Sequence, residues 1–129
     1  MMVDDLFPKV EMYRHPGKSS NYIVQLRRPK KITEGGIIVV DEAREAESDN
    51  TTIGKVVALG DGCFRFATTG KPWPEGAWFE IGDYLQVPRY GGMRFRVKHD
   101  DDYIHFVIFD HLQFIARVTG DPRKIIDYI

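Results

Sequence analysis

The sequence lacks the features that mark several large protein classes. It has one cysteine in 129 residues, so no intrachain disulfide can form, and a free thiol suits a reducing compartment. It has no apolar run near the ~18–20 residues of a membrane-spanning helix, and its start is acidic where a signal peptide is basic. These absences predict a soluble cytoplasmic protein that has no membrane partner.

A dominant charge of one sign is also missing. The chain has 18 basic and 19 acidic residues, for a net charge of −1. It therefore has no overall field that would steer it to phosphate backbones or anionic lipids. This balance disfavours a small OB-like nucleic-acid binder, and no nucleic-acid partner is expected.

Catalytic motifs are missing as well. The chain contains neither a phosphate-binding P-loop nor a Gly-x-Ser-x-Gly nucleophile elbow. Cys63, Asp110 and His111 are residue types found in nucleophilic triads, but no surrounding motif supports that use. The sequence predicts that the protein is not an enzyme and needs no cofactor.

One cluster of metal-capable residues calls for a choice between two interpretations. His99, His105 and the run Asp100–Asp102 lie within seven residues and could hold a divalent ion. Acidic residues also populate exposed turns, and a metal site needs defined geometry. We interpret the cluster as a polar turn between two strands and expect no metal.

The pattern of apolar residues predicts a single, mainly β domain over residues 1–129. Twelve glycines and seven prolines divide the chain into short segments rich in Val, Ile, Tyr and Phe, and no period of 3.6 persists. Many short antiparallel strands imply a sandwich or a small, partly closed β-barrel. Strands are predicted at Asn21–Arg28, Ile53–Leu59, Asp83–Val87, Met93–Val97, Tyr103–Phe109 and Phe114–Val118.

Two further segments are harder to assign. The stretches 63–67 and 77–81 flank a Gly/Pro/Trp segment and could form the arms of a long hairpin or an excursion from the main body. Trp73 and Trp78, beside Lys71 and Arg65, could stack on bases or sugars, or could pack on their own loop or on a neighbouring subunit. A short helix is predicted after Pro122 in the tail, residues 119–129.

The longest interval between predicted strands contains the most distinctive pattern. Gly35, Gly36, Ile37, Ile38, Val39 and Val40 stand between a polar approach and the highly polar residues 41–52. Those flanks cannot sustain a core, so we expect a mobile loop over about residues 29–52. The apolar quartet from Ile37 either forms an ordinary strand of the domain or stays available for another protein to bury.

The order of motifs resembles that of the GroES-type co-chaperonins over roughly residues 21–118. Segment 22–25 resembles the first strand of that family, and 35–39 resembles its Gly-Gly-Ile-Val-Leu-like loop motif. Segment 54–62 is similar to its Gly-Glu-Val-x-Ala-Val-Gly-x-Gly. Residues 81–85, 90–92 and 110–118 resemble its Val-Gly-Asp-x-Val, Gly-Tyr-Gly and Asp-Ile-Leu-Ala-x-Val segments.

The resemblance implies a heptameric lid that caps a GroEL-type chaperonin ring and encloses folding clients. It implies that Gly35–Val40 bind the chaperonin. It also implies a roof hairpin over about residues 63–80, with Phe64, Phe66, Trp73 and Trp78 as roof or cavity residues. An extension at residues 1–20, the tail and the longer loops suggest a divergent member, of a kind familiar from bacteriophages. The alternative is a GroES-fold structural or assembly protein, for example of a virion, that has no chaperonin partner.

Overall fold

The computed structural model describes residues 3–28 and 51–126, and the fold is mainly β, as predicted. No helix in these residues is long and apolar enough to cross a bilayer. The elements, in chain order, are α1 (Val3–Leu6), β1 (Asn21–Leu26), β2 (Ile53–Leu59), β3 (Tyr84–Gln86), β4 (Met93–His99), β5 (Asp102–Asp110) and β6 (Ala116–Val118). All six predicted strands are confirmed, with their ends shifted by a few residues.

The strands form one antiparallel sheet in the order β4-β5-β1-β2-β3-β6. The central strand β1 pairs with β2 on one side and with β5 on the other. Strands β4 and β6 are the edges of the described sheet and do not pair with each other. The sheet is therefore open between them, in keeping with a barrel that is only partly closed.

Strand β1 is buried on both faces, which explains why its apolar pattern does not alternate cleanly. Tyr22, Val24 and Leu26 lie in the largest core cluster, whereas Ile23 belongs to a second cluster on the opposite face. That face is covered by residues 6–15, which we call the N-terminal arm; its Val10 and Met12 pack against the second cluster. Because the arm shields this face from water, an apolar residue is favoured at position 23.

The arm is also tied to the sheet by a polar contact. The side-chain amide of Gln25 is 3 % exposed and donates a hydrogen bond from Nε2 to the carbonyl of Pro8 at 2.7 Å. A buried amide group without such a partner would be unfavourable, so this bond fixes the position at which the arm crosses β1.

The half-buried strand that the alternation in residues 93–97 predicts is β4, which forms a hairpin with β5. Phe95 stacks on Phe106, with ring centroids 5.1 Å apart and planes at 10°. The pairing ends at His99 opposite Asp102, and the turn between them puts Asp100 in the left-handed region at φ 55°. Within the described ranges, no three His, Cys, Asp or Glu side chains are grouped so as to hold a metal ion.

The segments 63–67 and 77–81 do not form the strands considered for them. A single bridge joins Arg65 to Pro72, and the backbone on either side runs through turns. Phe64 and Phe79 are 5 % and 1 % exposed and belong to the main core cluster. Both ends of the insertion therefore pack against the sheet, where burial of Phe64 and Phe79 is favourable, and a roof hairpin over residues 63–80 stays a prediction.

The helix predicted after Pro122 is wrong over the described part of the tail, residues 119–126. The amide of Lys124 donates to the carbonyl of Asp121 in a single turn. The carboxylate of Asp121 pairs with the guanidinium of Arg123 at 2.6 Å, and hydrogen bonds from Arg123 lower the pKa of Asp121 to about 2. Asp121 thus pairs with a residue two positions away, a spacing that suits a turn and not a helix face.

Candidate functional site

The sequence-predicted binding residues Gly35, Gly36, Ile37, Ile38, Val39 and Val40 lie outside the described residues. The structure does describe the two places where the intervening segment, residues 29–50, joins the sheet. We call these places the root: residues 26–28 at the end of β1 and residues 51–53 at the start of β2. The two parts of the root are neighbours in the sheet, because Leu26 pairs with Gly54.

Backbone hydrogen bonds continue the sheet into the root. The amide of Arg27 donates to the carbonyl of Ile53 at 2.8 Å, one position beyond the last pair of β1 and β2. The amide of Val87 donates to the carbonyl of Thr52 at 2.8 Å. Thr51 and Thr52 are 3 % and 6 % exposed, an unusual degree of burial for threonines next to a polar segment. Segment 29–50 therefore starts and ends on firmly held backbone.

A small apolar cluster lies beneath the root. Its buried members are Leu6, Phe7 and Ile53, and Ile53 is fully buried. Partly buried side chains of Tyr84, Val118 and Ile125 pack against it. Phe7 and Tyr84 are in contact, with ring centroids 5.1 Å apart. The N-terminal arm, β3, β6 and the tail thus meet at the start of β2.

Three further hydrogen bonds attach the root to the N-terminal arm and the tail. The amide of Arg28 donates to the carbonyl of Leu6 at 2.9 Å. The guanidinium of Arg27 donates from Nη1 to the carbonyls of Pro122 at 2.7 Å and Ile125 at 2.6 Å. Hydrogen bonds from a charged donor are the stronger kind, so Arg27 links β1 firmly to the tail.

The four residues predicted for the roof differ in how deeply the structure buries them. Phe64 contacts Trp73, Trp78 and Phe79, with ring centroids 5.7, 6.3 and 5.0 Å away. Phe66 is 46 % exposed and Trp78 is 39 % exposed. Phe64 and Trp73 are thus involved in packing within the subunit. Whether any of the four residues faces a cavity of an assembly stays a prediction.

Sequence reasoning missed the role of His111, which is 7 % exposed. Its Nδ1 accepts a hydrogen bond from the amide of Phe64 at 2.8 Å, and its ring stacks on that of Phe64. Phe64 has φ 58°, a strained value for an aromatic residue. An acceptor at Nδ1 requires the proton on Nε2 in the neutral ring. His111 therefore holds a strained turn in place. The feature that indicates this role is the left-handed backbone of Phe64, which the sequence does not reveal.

The residues of a conceivable triad are not arranged for catalysis. Burial raises the pKa of the Cys63 thiol, which donates to the carbonyl of Asn21 at 3.3 Å. Asp110 accepts a hydrogen bond from the hydroxyl of Ser20 at 2.6 Å, and Nδ1 of His111 is bonded to Phe64. A nucleophile needs a low pKa and a nearby base, and this thiol has neither a lowered pKa nor a hydrogen bond to His111. These contacts instead stabilise the end of β5.

Acidification is expected to remove the stabilising contribution of Asp110. Burial alone would raise the pKa of this carboxyl, but the Ser20 hydroxyl, the Leu112 amide and His111 lower it below 3.8 overall. A folded-state pKa below the unfolded value stabilises the fold above about pH 4, and this stabilisation is lost as the pH falls through the folded pKa. Urea unfolding of wild type and Asp110→Asn should differ at about pH 7, and the difference should shrink as the pH falls below about 4.

The control for this prediction is Asp61→Asn, which alters an exposed carboxylate in the neighbouring turn. This variant should unfold like wild type at both pH values. The prediction is wrong if Asp110→Asn stays equally less stable than wild type throughout the acid range.

Two comparisons with known proteins bear on the chain. A family model described as the chaperonin 10 kDa subunit matches residues 19–110. No curated protein matches the chain. The matched residues include β1 to β5 and the whole of segment 29–50 between the two parts of the root.

Proposed function

The chain belongs to the chaperonin 10 kDa subunit family, and on that premise we propose that it caps a GroEL-type chaperonin ring and encloses folding clients beneath it. A co-chaperonin role, a chaperonin partner and assembly with other subunits follow from the family in general. The finer proposal is that residues 35–40 make the contact in the cytoplasm, the host's if a bacteriophage encodes the protein. Ile37, Ile38 and Val39 are the side chains that the chaperonin buries.

The observation that supports this proposal is the location of the motif in the sequence and the sheet. An apolar quartet between polar flanks lies inside the family match, and the segment that carries it joins two neighbouring strands. Gly35 and Gly36 precede the quartet, and glycines allow the backbone to lie close to a partner surface. The charges that follow the quartet favour solubility of the free subunit.

The energetics favour weak binding at each site. Burying Ile37, Ile38 and Val39 would contribute about 1.5–3 kcal/mol each before the opposing terms are counted. Ordering backbone on binding costs about 1–2 kcal/mol per residue, which offsets much of this gain. We propose a ring of seven subunits, in which later contacts form at high effective concentration and the whole ring binds tightly. A nucleotide cycle in the chaperonin would then release the cap.

Replacing Ile38 by aspartate is expected to abolish chaperonin binding. A charge at the centre of the apolar contact would have to be desolvated without a partner, which is strongly unfavourable. The measurement is co-sedimentation of the subunit with a GroEL-type chaperonin in the presence of nucleotide. Wild type should sediment with the chaperonin, and Ile38→Asp should remain in the supernatant.

The matched control is Ser48→Asp, which adds the same charge to the polar part of the same segment. It should bind like wild type, because position 48 lies outside the apolar contact. Failure of wild type to bind under these conditions would contradict the proposed function and favour the alternative of an assembly protein. Equal binding by Ile38→Asp and wild type would exclude the quartet as the contact.

A further inference from the structure

The parts of the chain outside the family match converge on the root. The match covers residues 19–110, which leaves the N-terminal arm and α1 before it and β6 and the tail after it. Both outside parts contact the ends of segment 29–50. The N-terminal contact is made by Leu6, whose carbonyl accepts from Arg28 and whose side chain is 2 % exposed against Ile53.

The C-terminal contact is made by the tail. Its carbonyls at Pro122 and Ile125 both accept hydrogen bonds from the guanidinium of Arg27. The side chain of Ile125 packs on the same cluster that buries Ile53. A single cation therefore holds two carbonyls of the tail against the last residues before segment 29–50, while the apolar cluster holds the first residues after it.

These contacts act on the root more than on the sheet as a whole. Strands β1 and β2 already pair from Tyr22–Leu59 to Leu26–Gly54, so the sheet itself does not require Arg27 to reach the tail. The bonds of Arg27 and Arg28 extend ordered backbone past the last strand pair, towards the segment. Fixing a binding segment at its ends lowers the entropy that it loses on binding, which raises affinity without adding any contact to the partner.

We propose that the N-terminal arm and the tail form a collar, made by Leu6, Phe7, Pro122 and Ile125, that holds the ends of segment 29–50 and thereby sets the affinity for the chaperonin. The proposal rests on the proposed function. The collar does not touch the chaperonin. It acts by restricting the conformational freedom of the root. The two extensions are then affinity-setting parts of this subunit as well as coverings of its sheet.

The test is Arg27→Met, which keeps much of the side-chain length and removes the donors to Pro122 and Ile125. Its binding to a GroEL-type chaperonin should weaken about tenfold, since freeing residues of the root raises the conformational entropy that binding must remove. Hydrogen exchange should accelerate at the amides of Arg27, Arg28 and Ile53 and stay unchanged in the β4–β5 hairpin. Arg27→Lys, which keeps a charged donor, should recover most of the affinity.

The matched control is Arg94→Met on β4. Arg94 also donates to a backbone carbonyl, that of Arg89 at 2.7 Å, but it lies away from the root. Arg94→Met loses the same positive charge as Arg27→Met and should bind the chaperonin like wild type.

Three outcomes would overturn the collar. The first is that Arg27→Met binds as tightly as Arg94→Met while Ile38→Asp fails to bind; the proposed function then stands without the collar. The second is uniformly faster exchange across the sheet, which shows a structural role only. The third is that wild type itself fails to bind, in which case the proposed function fails and the collar's role fails with it.

Discussion

Gly60→Ala is expected to destabilise the subunit by about 3 kcal/mol or more, lowering the unfolding midpoint by about 10 °C. A Cβ on Gly60 would lie 2.1 Å from the carbonyl oxygen of Ser19 and 2.9 Å from that of Asn21. Both obstacles are backbone atoms, which cannot rotate away as a flexible side chain can. Moving Ser19 would also disturb its hydrogen bond from Gly62, and moving Asn21 would disturb the start of β1.

Gly120→Ala is the matched control for this prediction. A Cβ at that position meets no atom within 4 Å, and its φ is not in the left-handed region. The change should be neutral or slightly stabilising, because alanine restricts the unfolded chain more than glycine does. Urea and thermal unfolding at one fixed protein concentration measure both variants, since assembly makes the midpoint depend on concentration. Equal midpoints for the two variants would contradict the packing at Gly60.

Phe79→Ala is expected to lower the free energy of unfolding by about 3–5 kcal/mol, the range for removing a buried phenylalanine. Phe79 is 1 % exposed, and its ring contacts those of Tyr22, Phe64 and Phe114 at centroid distances of 4.7, 5.0 and 5.2 Å. It therefore joins the insertion, β1 and the segment before β6. An alanine there would leave a cavity at the meeting point of three parts of the chain.

Phe66→Ala is the control for Phe79→Ala. It removes the same ring from the same insertion at a position that is 46 % exposed, so stability should change by about 0.5 kcal/mol or less. A loss of stability as large for Phe66 as for Phe79 would show that the insertion does not pack as described. A small loss at both positions would show that the insertion contributes little to the core.

The strands could be predicted from the sequence because the spacing of apolar residues is visible within each strand's own residues. Arg94 and Arg96 alternate with Phe95 and Val97, and β4 follows that pattern closely. Strand β1 was harder to interpret, since Ile23 breaks the alternation. The cause of the break is the N-terminal arm, which packs on Ile23 from a part of the chain about ten residues away. A local pattern does not carry such a tertiary contact.

The insertion and the tail were predicted less well, for a different reason. Residues 63–81 are rich in aromatic side chains, which are common in strands and are also common in compact turns buried against a sheet. Which of these forms depends on whether a surface is available, and that surface is made by Tyr22, Phe109 and Phe114 from distant segments. In the tail, Arg123 pairs with Asp121 in a turn, a contact that the apolar pattern does not reveal.

The candidate site could be predicted only in part. Residues 35–40 were identified from the sequence, and they remain a prediction because they lie outside the described residues. The root that holds their segment was not identified. Leu6, Arg27 and Ile125 carry no motif, and their convergence depends on the path of both termini around the sheet. No local pattern in the sequence reveals that kind of assembly.

The pairing of β1 with β5 has a consequence for biosynthesis. Tyr22 lies opposite Phe109, so the central strand of the sheet acquires one of its two neighbours only after synthesis has passed residue 110. A ribosome that has produced β1 and β2 has released a two-stranded ribbon with an uncovered apolar face, which is marginal in water. The subunit can therefore complete its sheet only after β5 has been made, and contacts of such long sequence separation slow that step. A protein of the chaperonin system thus begins as an exposed nascent chain, with an early strand that awaits a late partner.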